Sequence, residues 1–250
     1  MLPTIDIGPL VLPTAGLIFI IGAWIVLSLT ERAAKKLELN VEATYTLVAI
    51  MMGAAFVGAR LVFVLAHWTA YQDDLLSIFW PLTSGFNWGA GIVGALLAGF
   101  FYMRAKQLPP AATLDALAPG LILALMVLSL ADFAAGPGYG QESSVPWAID
   151  VFGIRRHPVQ LYELAVGILA LLVWWRVVDR RRYEGQLFLL TMAVYAAGRL
   201  LFDAFRANTP LTSNGFHLIQ IASLIILLVC VFLMGRQADQ EESPAGESRA

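Results

Sequence analysis

The sequence predicts an all-α membrane protein of about seven transmembrane helices in one bundle, and three observations carry that reading. Hydrophobic residues make up 59% of the chain and charged residues only 14%, against about 25% charged in soluble proteins. The mean hydropathy is +0.73. Apolar stretches recur from residue 11 to residue 235 with only short polar gaps, so lipid is the solvent for most of the chain and no separate soluble domain has room to form.

Backbone amides in hydrocarbon must be satisfied within their own segment, so each run of about 20 apolar residues reads as a helix. Spans are expected at roughly 11–30, 43–67, 86–103, 112–134, 159–176, 185–206 and 216–235. Met1 to Gly16 contain no Lys or Arg, whereas a cleavable signal peptide opens with positive charge, so the first span is expected to stay as an anchor. Gly53 and Gly58 in the second span, and Gly89, Gly91 and Gly94 in the third, point to close helix packing. His67, Trp68 and Tyr71 look like an outer interface belt. Cys230 is the single cysteine and lies in the last apolar run, which excludes an intramolecular disulfide and a Cys/His zinc pattern and suggests a packing thiol. Residues 1–236 are expected to form the membrane domain. The tail 237–250, with Glu241, Glu242, Ser243, Pro244 and Glu247, has too little apolar surface to fold and is expected to be disordered and cytoplasmic.

Orientation follows from the 16 Lys and Arg residues. If seven helices alternate, Arg32, Lys35, Lys36, Arg104, Lys106, Arg176, Arg180, Arg181, Arg182, Arg236 and Arg249 share one side. The other side receives only Arg155, Arg156 and Arg206, and Arg60 and Arg199 fall within spans. The positive-inside rule makes the majority side cytoplasmic, with the N-terminus outside, the C-terminus inside and the loop of about 135–158 extracytoplasmic. The net charge of −2, with most cations in short juxtamembrane clusters, argues against a nucleic-acid partner.

Charges inside spans point to function, because each costs a few kcal/mol unless it snorkels or is partnered. Arg60 needs an anion nearby. Tyr195, Arg199, Asp203 and Arg206 follow helical offsets that put them on one stripe about 80° wide. On that stripe Asp203 can offset one guanidinium, leaving positive charge for an external anion such as a lipid phosphate. The competing reading is an internal salt-bridge network that only locks helices together. At the entry to the fifth span, His157, Gln160, Tyr162 and Glu163 gather four hydrogen-bonding side chains, and His157 beside Glu163 suggests proton transfer, against a purely structural bond. His217 and Gln220 would line the same chamber from the start of the seventh span. Pro119-Gly120 is the one hint of a broken, transporter-type helix.

The run His157-Pro158-Val159-Gln160-Leu161-Tyr162-Glu163, preceded by Pro146-Trp147-Ala148-Ile149, resembles the His-Pro-x-Gln-Leu-Tyr-Glu signature of the prolipoprotein diacylglyceryl transferase family. The segment from Tyr195 through Gly198-Arg199 and Asp203 to Arg206 is similar to that family's penultimate-helix motif, with aspartate where glutamate is usual. Gly58-Ala59-Arg60 and Gly91-Ile92-Val93-Gly94 fit its second and third helices. The resemblance departs at Gly89, where the family has histidine, at Ser129, Asp132 and Pro137, where it has arginine, asparagine and glutamate, and at Ala15, where it has tyrosine.

The resemblance implies a seven-helix fold with an outward N-terminus in the bacterial inner membrane. It also implies transfer of diacylglyceryl from phosphatidylglycerol to the thiol of a lipobox cysteine in a prolipoprotein, releasing glycerol phosphate, with no cofactor or metal. Catalytic roles would fall to His157, Glu163, Tyr195, Arg199 and Asp203, the proton acceptor being His157 or Glu163. Substrate binding would fall to Arg60, Arg206, Gln160, Tyr162 and Asp132. The alternative is a non-catalytic phospholipid-binding member of the same fold, because the departures remove an arginine and add a carboxylate where the phosphate would sit.

Overall fold

The computed structural model describes residues 4–7, 10–79, 85–136, 138–151 and 153–242. Seven helices among them are long and apolar enough to cross a membrane: α1 (Thr14–Lys36), α2 (Val41–Ala66), α3 (Trp88–Ala105), α4 (Pro110–Ala135), α5 (Val159–Val177), α6 (Gln186–Phe202) and α7 (Leu218–Glu242). The chain is a seven-span, multi-pass α-helical membrane protein. Many large apolar side chains lie on its surface, as expected where the outer solvent is lipid, among them Trp24, Phe101, Leu201 and Phe232.

Two short antiparallel hairpins accompany the helices. In the first, β1 (Thr4–Ile7) pairs with β2 (Leu10–Pro13), and in the second, β3 (Ile149–Val151) pairs with β4 (Ile154–Arg156). The first span therefore starts at Thr14 rather than at 11. The residue before a proline is pushed to extended backbone, so Leu12-Pro13 ends a strand and the helix begins just after it. At the other end α7 runs to Glu242, past the expected boundary at 236, through residues that are mostly good helix formers. Residues 243–250 lie outside the described residues, as does Pro137.

The chain divides into two compact units, Leu27–Ala116 and Met1–Val26 with Leu117–Ala250. In the unit 27–116, α2 and α3 start on asparagine caps: Asn40 Oδ1 accepts from the Ala43 amide and Asn87 Oδ1 from the Ala90 amide, each at 2.9 Å. The two helices approach through glycines. A Cβ built on Gly91 would lie 2.9 Å from the Ala55 carbonyl oxygen, and one on Gly94 would lie 2.9 Å from that of Ala54. The expected small-residue packing holds for Gly58, Gly91 and Gly94, whereas Gly53 has nothing within 4 Å and Gly89 meets only Asn87 Oδ1. Gly94→Val is accordingly expected to force α2 and α3 apart and cost about 1–3 kcal/mol. Gly53→Ala should leave thermal unfolding in detergent unchanged, and comparing the two melting curves checks the pair.

The other unit centres on Ile122, Val166, Ala170 and Tyr195, packed with Leu125, Met126 and Phe202. Gly167 on α5 lies against Met126 on α4, and Gly198 on α6 lies against Val166 on α5, with no space for a side chain at either glycine. α4 continues through Pro119 without a break, so Pro119-Gly120 does not interrupt a span. Close packing of α4, α5 and α6 brings their polar residues together.

Candidate functional site

α5 supplies the central group. Its buried face follows the helical repeat through Gln160, Glu163, Val166, Gly167, Ala170 and Trp174, which turns the Glu163 carboxylate into the protein, where the residue is only 3% exposed. Three donors meet it there. Oε1 accepts from both Arg199 and Arg206, and Oε2 accepts from the Ser129 hydroxyl of α4 at 2.6 Å. A carboxylate has about four acceptor positions, so one is left.

α6 brings Tyr195 and Arg199 to the same place by its helical repeat and then ends at Phe202. Asp203–Phe205 form one turn of 3-10 helix, and Arg206 follows in extended backbone with φ −80° and ψ 132°. Arg206 therefore reaches the cluster through a change of backbone, not as the fourth member of one helical stripe. Its Nη1 donates to the Gly138 carbonyl at 3.2 Å, and its Nε lies 3.6 Å from Asp203 Oδ1. Gly138 has φ +75°, and a Cβ there would come within 2.5 Å of Arg206 Nη1, so both its backbone and its lack of side chain are required.

Asp203 is fully buried and joins the same network. Arg199 Nη2 is 3.9 Å from its Oδ1. His217 Nδ1 and the Thr209 hydroxyl are each 3.3 Å from its Oδ2. Beside this network is a pocket of about 210 Å³ whose walls include Ser129 and Asp132 of α4, Glu163 of α5, Tyr195 and Arg199 of α6, and Arg206.

A largely apolar pocket whose wall carries Asp132, Arg199, Arg206 and Glu163, the last of these closing a His-Pro-x-Gln-Leu-Tyr-Glu run, agrees with what comparison of the chain with known families finds. The description of prolipoprotein diacylglyceryl transferases matches residues 3–236. The chain belongs to the prolipoprotein diacylglyceryl transferase family.

Among relatives described as phosphatidylglycerol–prolipoprotein diacylglyceryl transferase, one from Tropheryma whipplei is 26% identical over 92% of this chain and 90% of its own length. One from Corynebacterium efficiens is 29% identical over 96% and 83%. One from Bordetella parapertussis is 30% identical over 80% of each.

Of the residues expected to act together in this family member, the structure gathers Glu163, Tyr195, Arg199, Asp203, Arg206 and Asp132. The structure corrects several expectations. The positive charge foreseen on α6 is not in excess, because Glu163 takes both guanidinium groups while Asp203 and Asp132 stand beside them. The pairing of His157 with Glu163 also does not form. His157 precedes the helix, and its Nδ1 contacts the Tyr162 hydroxyl at 3.1 Å, which in turn accepts from Trp147 Nε1 at 2.7 Å. The rings of His157, Tyr162, Phe202 and Phe205 pack on one another, and neither His157 nor Tyr162 is on the pocket wall. Gln160 is buried in α5 and is also absent from that wall.

Arg60 lies in the other unit, where backbone carbonyls take the place of the anion it was expected to need. Its Nε and Nη2 donate to Ile78 O and Ser77 O at 2.9 Å, and Nη1 donates to Gly85 O at 3.2 Å. Its guanidinium also covers the Tyr71 ring at 5.4 Å, so Tyr71, only 7% exposed, is a partner of Arg60 and not part of an interface belt. Gln220 donates to Leu200 O at 3.2 Å instead of entering the pocket, and from α7 only Ile219 reaches the wall.

Two contributors had no assigned role in the sequence reading. Ser129 appeared there only as a missing arginine, yet it is the third donor to Glu163. Gly138 could have been noticed from the glycine-rich run Gly136-Pro137-Gly138-Tyr139-Gly140.

Proposed function

We propose that this chain transfers diacylglyceryl from a glycerophospholipid to a cysteine thiol of a prolipoprotein lipobox, in the inner membrane of a bacterium. The names of its relatives give phosphatidylglycerol as donor and prolipoprotein as acceptor. The observation that carries the reading is the pocket itself, where Arg199, Arg206 and Tyr195 bring donors to one wall inside the membrane-spanning unit. In the reaction the thiol sulfur attacks the glyceryl carbon bearing the phosphate, the C–S bond forms as the C–O bond breaks, and the electron pair leaves on the phosphate monoester. The thiol proton is lost to water or to a wall carboxylate. Arginine N–H groups would stabilise the negative charge that grows on the departing oxygen. The asymmetry of Lys and Arg supports an outward N-terminus, a cytoplasmic C-terminus and an extracytoplasmic loop of about 135–158.

The decisive experiment gives purified full-length protein phospholipid vesicles and a lipobox peptide and looks for a thioether-linked diacylglyceryl peptide by mass spectrometry. Product is the expected result. Folded protein that binds phospholipid yet forms no product would favour the second reading, a non-catalytic lipid-binding member. That alternative draws on one observation, the engagement of both guanidinium groups by Glu163.

A further inference from the structure

Asp203 is hydrogen-bonded through one oxygen only. Its Oδ2 accepts from the Thr209 hydroxyl and from His217 Nδ1, each at 3.3 Å. An ionised carboxylate only accepts, so the imidazole hydrogen at this contact sits on Nδ1. Asp203 Oδ1 has no hydrogen-bond partner among the described residues, and neither has Arg206 Nε, although both atoms are buried and stand 3.6 Å apart. Arg199 Nη2 is 3.9 Å from the same oxygen. A buried donor and acceptor left unmade cost free energy that a small turn of the carboxylate would recover, so something restrains that turn. The restraint comes from the chain between α6 and α7. Thr212 N–H donates to Phe216 O at 2.8 Å and Leu218 N–H to Pro210 O at 3.0 Å, so this segment folds back on itself and brings Thr209 and His217 to one oxygen of Asp203.

Resting on the reading that this pocket takes a phospholipid for transfer, we infer that His217, with Thr209 beside it, is a positioning residue: by tying Asp203 Oδ2 it keeps Oδ1 from closing on Arg206 Nε and Arg199 Nη2. Glu163 already takes one N–H group from each arginine. A second hydrogen-bonded carboxylate would occupy N–H groups that a phosphate needs. Held back, Asp203 orients both guanidinium groups by its charge and leaves their remaining donors to the headgroup. His217 is not on the pocket wall, so it acts through Asp203 and not on the reacting atoms.

The test uses the full-length protein in phosphatidylcholine nanodiscs and measures retention of spin-labelled phosphatidylglycerol, together with thioether product at varied lipid and lipobox-peptide concentrations. His217→Phe keeps a ring without the donor. It should lower lipid retention, and kcat/KM for the lipid, about tenfold, the size of one charge-assisted hydrogen bond, with the KM for the peptide unchanged. His217→Asn puts an N–H close to the place of Nδ1 and should restore most of both. A role confined to stability would lower the melting temperature and leave kcat/KM of the folded protein intact, and a proton-accepting role would lose turnover in the asparagine variant as well. Either result overturns the inference. Because His217→Phe can fail to fold, Thr209→Val removes the other donor to Oδ2 with little change of shape and should give a smaller loss in the same direction; parent-like retention and turnover there would also overturn it. Those outcomes leave the transferase reading standing. If the unaltered protein retains phosphatidylglycerol but forms no product, the transferase reading fails and the retention measurements alone decide the role of His217. Retention of no lipid by the unaltered protein would remove both.

Discussion

Arg199→Ala is expected to lower diacylglyceryl transfer by about 10²–10³-fold, the range seen when one preorganised donor to developing negative charge is removed. Arg199 lines the pocket, is the more exposed of the two arginines, and is held by Glu163 and Asp203 on two sides, so its guanidinium is fixed before substrate arrives. Lysine should not substitute for it. A single ammonium cannot hold two carboxylates and a phosphate with the fork geometry of arginine, and Arg199→Lys is expected to stay within about tenfold of the alanine variant. Because Glu163 keeps Arg206 as a partner, the loss should appear in turnover with little change in melting temperature. Thioether product and thermal unfolding measured on the same preparations check both halves, and full activity in Arg199→Ala would rule out the role.

Glu163→Ala should have the opposite signature. It leaves the Arg199 and Arg206 guanidinium groups without their shared carboxylate and frees the buried Ser129 hydroxyl from its acceptor. Breaking a buried ion pair by removing one partner costs about 3–5 kcal/mol, so the variant should unfold at markedly lower temperature and be recovered in low yield. Asp203 offers each arginine a second carboxylate, at 3.9 Å from Arg199 and 3.6 Å from Arg206, but neither distance is a hydrogen bond. Glu163→Gln keeps the shape and an acceptor for Ser129 and should fall between alanine and the parent. The double variant Glu163→Ala/Arg206→Ala should recover part of the lost stability, since one of the stranded charges is gone. A Glu163→Ala protein as stable as the parent would show that the three-donor carboxylate is not what holds α4, α5 and α6 in register.

How much of this was legible in the sequence differs from residue to residue. Tyr195, Arg199 and Asp203 come together in space as their spacing predicts, because a helix repeats every 3.6 residues. Arg206 fell in the group for a different reason, since α6 gives way to a 3-10 turn before it. His157 and Glu163 are close in sequence yet serve different surroundings, because His157 stands before the helix begins while Glu163 lies on its buried face. The carbonyl partners of Arg60 at Ser77, Ile78 and Gly85 were invisible because a backbone carbonyl is present at every residue and leaves no mark in the sequence.

Composition and hydropathy alone were enough for the seven spans, since the energetic demand of lipid acts on each segment separately. The small-residue contact between α2 and α3 was also foreseeable from glycine spacing, although only part of the glycine set takes part. The charge balance of the pocket depended on tertiary structure. Ser129, Glu163 and Arg206 stand 34 and 43 residues apart along the chain, and whether a carboxylate neutralises an arginine is set by their separation in space, which local periodicity does not encode.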